Sequence, residues 1–185
     1  MKTVSVNVRS ADIIAQGDRL PFRNNAFDVV VSCDTIEHLP KEERLSFCTE
    51  VHRVARRTAV ICGPLGTNEH IEYEKSLLLR CDLNPEVLTY VREHVEFGIP
   101  KPSEIVRVAE KFGAALFYEG DFRSVAQRGY FSRIPYVRLV LSVLKNWFTD
   151  ARFHPSRFLM ESYSAHTNRF YLVIQKENAL RKSGL

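Results

Sequence analysis

Two stretches dominate the pattern of hydrophobic and polar positions. Phe27-Asp28-Val29-Val30-Val31-Ser32 is an apolar run broken by one acid near its start, and Thr58-Ala59-Val60-Ile61-Cys62 is a second run of the same character. Short runs rich in β-branched residues and bounded by turn residues predict strands buried on both faces. Between them, Lys41 to Ala55 places Leu45, Cys48, Val51 or His52, and Val54 or Ala55 at helical spacing, with charged residues opposite and Pro40 at the first turn. Strand, helix and strand in this order predict a right-handed parallel crossover.

The rest of the chain extends the alternation. Thr3 to Val8 and Ala11 to Ala15 are short strand candidates separated by Arg9-Ser10, with no room for a helix between them. After the Gly63-Pro64 stop, helices are predicted over Glu72 to Arg80, Pro85 to Val95 and Pro102 to Phe112. Asn84 is the candidate cap of the second, and Gly113 ends the third where a left-handed residue is needed. Ala114 to Tyr118 and Arg169 to Gln175 are further strands, Ile134 to Phe148 is apolar around most of a helical circumference, and 177–185 is a polar tail. Strands alternating with helices predict an α/β sandwich, whose function gathers at the carboxyl ends of the strands. Three loops qualify: the one after Val8, Ser32 to Pro40, and Gly63 to Glu69.

Composition narrows the class. With 185 residues, 45% hydrophobic and 26% charged, the chain has the size and balance of one globular domain, expected over 1–176, and not of a fibrous or disordered protein. The net charge of +4 is an ordinary solubility charge, although basic residues recur from Arg123 to Arg169 with few acids between them. No zinc-finger, helix-turn-helix or glycine-rich RNA motif accompanies them, which ranks nucleic-acid binding behind other readings. Cys33, Cys48, Cys62 and Cys81 form no CxxC pair and read as buried free thiols in a reducing compartment. No metal site is predicted, because His94 and Glu96 lack a third ligand at helical spacing. The first residues carry no signal-peptide pattern and no run reaches membrane-spanning length, so the expected location is the cytoplasm.

Read in order, Leu20-Pro21-Phe22, Phe27 to Ser32, Glu37-His38-Leu39-Pro40, Glu50-Val51-His52-Arg53-Val54 and Gly63-Pro64 form a larger signature. The segment from Asp12 to Pro64 resembles the class I S-adenosylmethionine-dependent methyltransferases. There the first three pieces follow strand three, form strand four and enter the next helix. The resemblance implies a Rossmann-like three-layer sandwich with a mostly parallel sheet in the order 3-2-1-4-5-7-6, with 69–123 as a helical substrate-lobe insertion. It implies methyl transfer to a small-molecule acceptor. Cys33 and Asp34 would lie beside the methionine part of S-adenosylmethionine, with Leu20 and Asp18 also on the cofactor side and His38 near the mouth of the transfer site. His38, equally read as a helix cap, is joined by His70, Glu72, His94 and Glu96 as candidate bases for an acceptor that must lose a proton.

The same resemblance exposes departures. The glycine-rich turn after strand one should precede Thr3, where only Met1 and Lys2 stand, so the fold is expected to be incomplete. Asn7 occupies the position of the acid that binds the ribose hydroxyls, and Gln16 that of the acid that binds the adenine amino group, although Asp18 can stand in for Gln16 in a shifted turn. An amide still accepts a hydrogen bond but loses charge assistance, worth about 1 kcal/mol. Weak or absent cofactor binding is therefore expected of the chain alone. Two alternatives stay open: a catalytically silent methyltransferase-like domain whose missing strand is filled by self-association or a partner chain, and a module that touches a membrane surface through Ile134 to Phe148.

Overall fold

A computed structural model describes residues 4–7, 12–79, 85–123 and 159–176. The apolar segment 134–148, Asn84, Cys81 and the tail 177–185 lie outside the described residues. Strands β1 (Val6–Asn7) and β2 (Ile13–Ile14) pair in parallel as a small sheet. Asp12 ties the two together by accepting from the Ser5 backbone N–H at 2.9 Å and the Ser5 hydroxyl at 2.8 Å.

A second sheet is built from β3 (Phe27–Cys33), β4 (Ala55–Pro64), β5 (Ala115–Asp121) and β6 (Thr167–Gln175), in the order β3-β4-β6-β5. The predicted crossover is present: β3 runs through α1 (Arg44–Val54) into β4, which pairs with it in parallel. β6 is antiparallel to both β4 and β5, so β3, β4 and β5 run in one direction with β6 alone reversed, the mostly parallel arrangement that was expected. Set beside the expected order, the pairing β2-β1 matches 3-2 and β3-β4-β6-β5 matches 4-5-7-6.

The core lies on one face of the larger sheet. Ala59 and Ile61 of β4, Phe170, Leu172 and Ile174 of β6 and Tyr118 of β5 pack with Phe47, Cys48 and Val51 of α1 and Ile105, Val108 and Ala109 of α4 (Pro102–Phe112). Each large apolar side chain buried this way contributes about 1.5–3 kcal/mol. Phe47, not Leu45, is the inward residue of the first turn of α1; Leu45 is exposed. The expectation that Phe27 to Ser32 is covered on both faces is met on one. Val30 meets the core, whereas Val29 and Val31, on the opposite face of the strand, are 55% and 59% exposed. α4 starts on Pro102 and ends at Gly113, whose φ of 58° is the left-handed cap predicted from sequence.

Two of the sequence signatures prove to be one piece of structure. Glu50 accepts from the Leu20 backbone N–H at 2.9 Å, and Arg53 donates to the Leu20 and Phe22 carbonyls at 3.0 and 2.7 Å while pairing with Glu50 at 2.6 Å. The helix motif Glu50-Val51-His52-Arg53 thus clamps the Leu20-Pro21-Phe22 turn through its backbone, and Phe22 stacks edge-on against Phe27 at the start of β3.

Helices α2 (Asn68–Leu77) and α3 (Pro85–Phe97) complete the described residues. α2 begins four residues earlier than the predicted Glu72 because Thr67 caps it, accepting from the His70 N–H at 3.2 Å. Gly66, just before the cap, presses against the segment after α3: its N–H donates to Pro100 at 2.8 Å, and a Cβ there would lie 2.6 Å from the Ile99 carbonyl oxygen. No helix among the described residues is long and apolar enough to cross a membrane.

Candidate functional site

β3 ends at Cys33 and the chain turns sharply. Asp34 takes a left-handed conformation, φ 50°, which aspartate tolerates better than most residues, and its N–H donates to the Cys62 carbonyl at 3.0 Å. A single 3-10 turn, Ile36–His38, follows, with Ile36 and Glu37 each 1% exposed. Ile36 anchors the turn in the core, and Glu37 is carried inward with it.

Arg44, at the start of α1, holds this turn in place. Only 2% exposed, it donates to the Leu39 carbonyl at 3.2 Å, to Phe97 at 3.1 Å and to Gly98, and it pairs with Glu104 of α4 at 3.3 Å. One guanidinium therefore joins the 3-10 turn to the end of α3, which brings α3 over the carboxyl ends of β3 and β4.

The result is a cavity of about 320 Å³ lined by Asp34, Glu37, His38, Pro64, Tyr90, His94, Asn168 and Arg169. A cavity of about 380 Å³ opens at the other end of the same strands, lined by Asp28, Val29, Arg57, Thr58, Gln175 and Lys176. Among the described residues it gathers no interacting set of buried titratable groups, whereas the first cavity does.

Inside the first cavity the titratable groups are coupled. His94 donates from Nδ1 to Glu74 on α2 at 2.8 Å. Glu74, in turn, lies 3.6 Å from His70 Nε2, and His70 Nδ1 is 2.9 Å from the Leu65 carbonyl. His38 Nδ1 lies 2.8 Å from Glu93, at an angle that leaves it without a hydrogen bond, and its ring sits 4.9 Å from that of His94. Arg169, from β6, pairs with Asp34.

Burial pushes the Glu37 carboxyl up to about 7, with the Asp34 charge acting the same way against its own backbone N–H, His94 and Arg169. Burial also pulls His94 down, but its hydrogen bond to Glu74 and the charges of Glu74, Glu37 and Glu93 outweigh it and hold the imidazole above its usual value. His38 is lowered by burial and by His94. Paired groups whose values are driven apart are suited to holding and passing protons.

The predicted site residues divide accordingly. His38, His94 and Asp34 meet in the cavity. His70 sits behind it, 4% exposed, stacked on Phe122 with ring centroids 4.6 Å apart. Glu72 pairs with Lys75 on the surface and Glu96 is exposed. Cys33, expected to be buried, is exposed at the end of β3, with its thiol 3.1 Å from that of Cys62. Gln16 is exposed, Asp18 half-buried, and Asn7 ends β1. Glu37 reads as a helix-entry carboxylate in sequence; the buried Ile36 beside it drags it inside instead. Glu74, Tyr90, Glu93 and Arg169 carry no sequence signal as site residues, since only the packing of α2, α3 and β6 brings them here.

The family model described as a methyltransferase domain matches residues 2–63, the segment that runs from β1 to the penultimate residue of β4 and holds Asp34, Glu37 and His38. The chain resembles the class I S-adenosylmethionine-dependent methyltransferases. No curated protein matches it significantly. Among solved structures, a protein of Bacillus halodurans C-125 named as a methyltransferase is similar at 14% identity and a TM-score of 0.46, over 94% of this chain and 80% of that one. Phosphoethanolamine N-methyltransferase 2 of Haemonchus contortus, solved with S-adenosyl-L-methionine, is similar at 13% identity and a TM-score of 0.49, over 89% of this chain. The chain spans only 36% of the length of that methyltransferase.

Of the positions that the resemblance places beside the cofactor, two are engaged by protein groups and one is open. Asp34 is engaged by Arg169, the Leu20 N–H is engaged by Glu50, and Gln16 faces solvent.

Proposed function

We propose that the protein to which these residues belong transfers a methyl group from S-adenosylmethionine to a small-molecule acceptor. The observation that carries this reading is the methyltransferase-domain match over residues 2–63, running into a cavity at the carboxyl ends of β3 and β4. The sulfonium supplies the electrophile when the cofactor is present. The chain's own contribution lies on the acceptor side, where His38, Glu37 and His94 surround space for a small molecule and are placed to take a proton from a hydroxyl or amine. His70 supports His94 through Glu74 and does not reach the acceptor. The cofactor side is Asn7, Gln16, Asp18, Leu20, Cys33 and Asp34, and with amides at two of these positions the 185 residues alone bind S-adenosylmethionine weakly or not at all.

The decisive trial uses the longest open reading frame that contains these residues, incubated with methyl-labelled S-adenosylmethionine and a small-molecule metabolite extract. Label in the small-molecule fraction, reduced in His94→Ala, supports the reading. Absence of label together with absence of S-adenosylhomocysteine binding contradicts it. A second reading, a catalytically silent domain acting through a protein partner, draws support from the Asp34–Arg169 pair, which occupies the carboxylate expected to face the cofactor.

A further inference from the structure

We propose that Glu37, His38 and His94 form a binding site for a divalent transition metal of the zinc class, open on one side to the cavity. The inference stands on geometry and uses the same three side chains as the methyl-transfer reading; with a metal bound their lone pairs are engaged, and a metal-bound water or hydroxide would take the acceptor proton in their place. One donor atom from each of the three lies within 4.8 Å of the others. A tetrahedral site with metal–ligand distances of about 2.0–2.1 Å sets its ligand atoms about 3.4 Å apart, so closure asks these three side chains to move by an ångström or so.

A second observation points to a cation. Glu37 is 1% exposed, and its Oε2 has no hydrogen-bond partner among the described residues. A buried carboxylate oxygen without a donor is costly, and a metal ion removes the cost. His94 Nε2 is likewise buried and without a partner. Its Nδ1 is held by Glu74 at 2.8 Å, which fixes the ring and leaves Nε2 as the free donor. His38 repeats the pattern more loosely, with Glu93 2.8 Å from its Nδ1. Carboxylates behind ligating imidazoles are the usual support of a metal centre, because they fix ring orientation and raise ligand basicity.

The charges facing the site are compatible. Glu37 with the supporting Glu74 and Glu93 offsets a dication, and Arg169, the one cationic side chain lining the cavity among the described residues, is neutralised by Asp34. Two imidazoles and one carboxylate suit zinc or ferrous iron, and the cavity leaves room for water or a ligand oxygen at the remaining positions. Sequence spacing alone does not reveal this set, because its ligands come from a 3-10 turn and from a helix far along the chain.

The test is calorimetric titration of Zn²⁺ into the chelator-treated full chain, with the visible absorption of Co²⁺ as an independent readout of coordination. The wild type is expected to take up one equivalent and to give the absorption of a four- or five-coordinate cobalt site with nitrogen and oxygen donors. His94→Ala and Glu37→Gln are expected to lose that step, and Glu74→Gln to weaken it about 10–100-fold. His38→Ala, altered at a partly exposed ring, keeps the test decisive if the buried variants fail to fold. The double variant Cys33→Ser/Cys62→Ser is expected to bind as the wild type does. Absence of saturable uptake by the wild type overturns the proposal. So does uptake that survives in His94→Ala and His38→Ala, or that disappears with the two cysteines.

Discussion

Glu74 on α2 and His94 on α3 share a hydrogen bond of 2.8 Å that joins the two helices. Glu74 is 8% exposed and also faces His70 at 3.6 Å, so it serves two imidazoles at once. Glu74→Ala leaves a buried His94 donor without its acceptor and is expected to cost about 1–3 kcal/mol. Urea denaturation should show a lower midpoint with an unchanged slope, and Glu74→Gln, which keeps an acceptor oxygen, should recover part of the loss.

Arg44 bears a larger share of the architecture. Its guanidinium serves three carbonyls and Glu104 while 2% exposed. Arg44→Met fills the space but strands Glu104 and the carbonyls, and is expected to destabilise the fold by about 3–5 kcal/mol. Arg44→Lys keeps the charge without the planar fork and should fall between the two. Thermal unfolding of the three proteins side by side gives the ranking.

The methyltransferase-like block was legible because its motifs are local and physically linked. The Leu20-Pro21-Phe22 turn and the Glu50/Arg53 pair occur together because one clamps the other, and the crossover from β3 to β4 follows from two apolar runs around an amphipathic helix. The cap at Gly113 was equally plain, since a left-handed residue is needed there. The site was only half legible. His38 and His94 were named from their loops and helix, but Glu37, Glu74 and Arg169 depend on tertiary packing that no periodicity encodes. Burial of β3 was overstated for a related reason: an apolar run reports what a strand is suited to, not which elements cover it, and Val29 and Val31 remain exposed.

Acid should weaken the clamp on the Leu20 turn. The Glu50 carboxyl is held below its usual value by its bonds with Arg53 and with the Leu20 N–H, against burial. A depressed folded-state value means stability that is present above the ordinary value of 4.5 and is lost as pH falls through the folded one. Stability measured by denaturant between neutral and acid pH should therefore decline less steeply on the acid side in Glu50→Gln than in the wild type. Identical slopes would mean that the pair contributes nothing to acid sensitivity.

Methyl transfer is tested most directly by supplying methyl-labelled S-adenosylmethionine and a small-molecule extract to the longest reading frame containing these residues. The expected result is label in a small molecule, diminished in the His94→Ala protein, alongside no measurable S-adenosylmethionine binding when the 185 residues are titrated alone. No labelled product and no binding of S-adenosylhomocysteine by the longer protein would contradict it, and micromolar affinity of the 185-residue chain would contradict the weakened cofactor side.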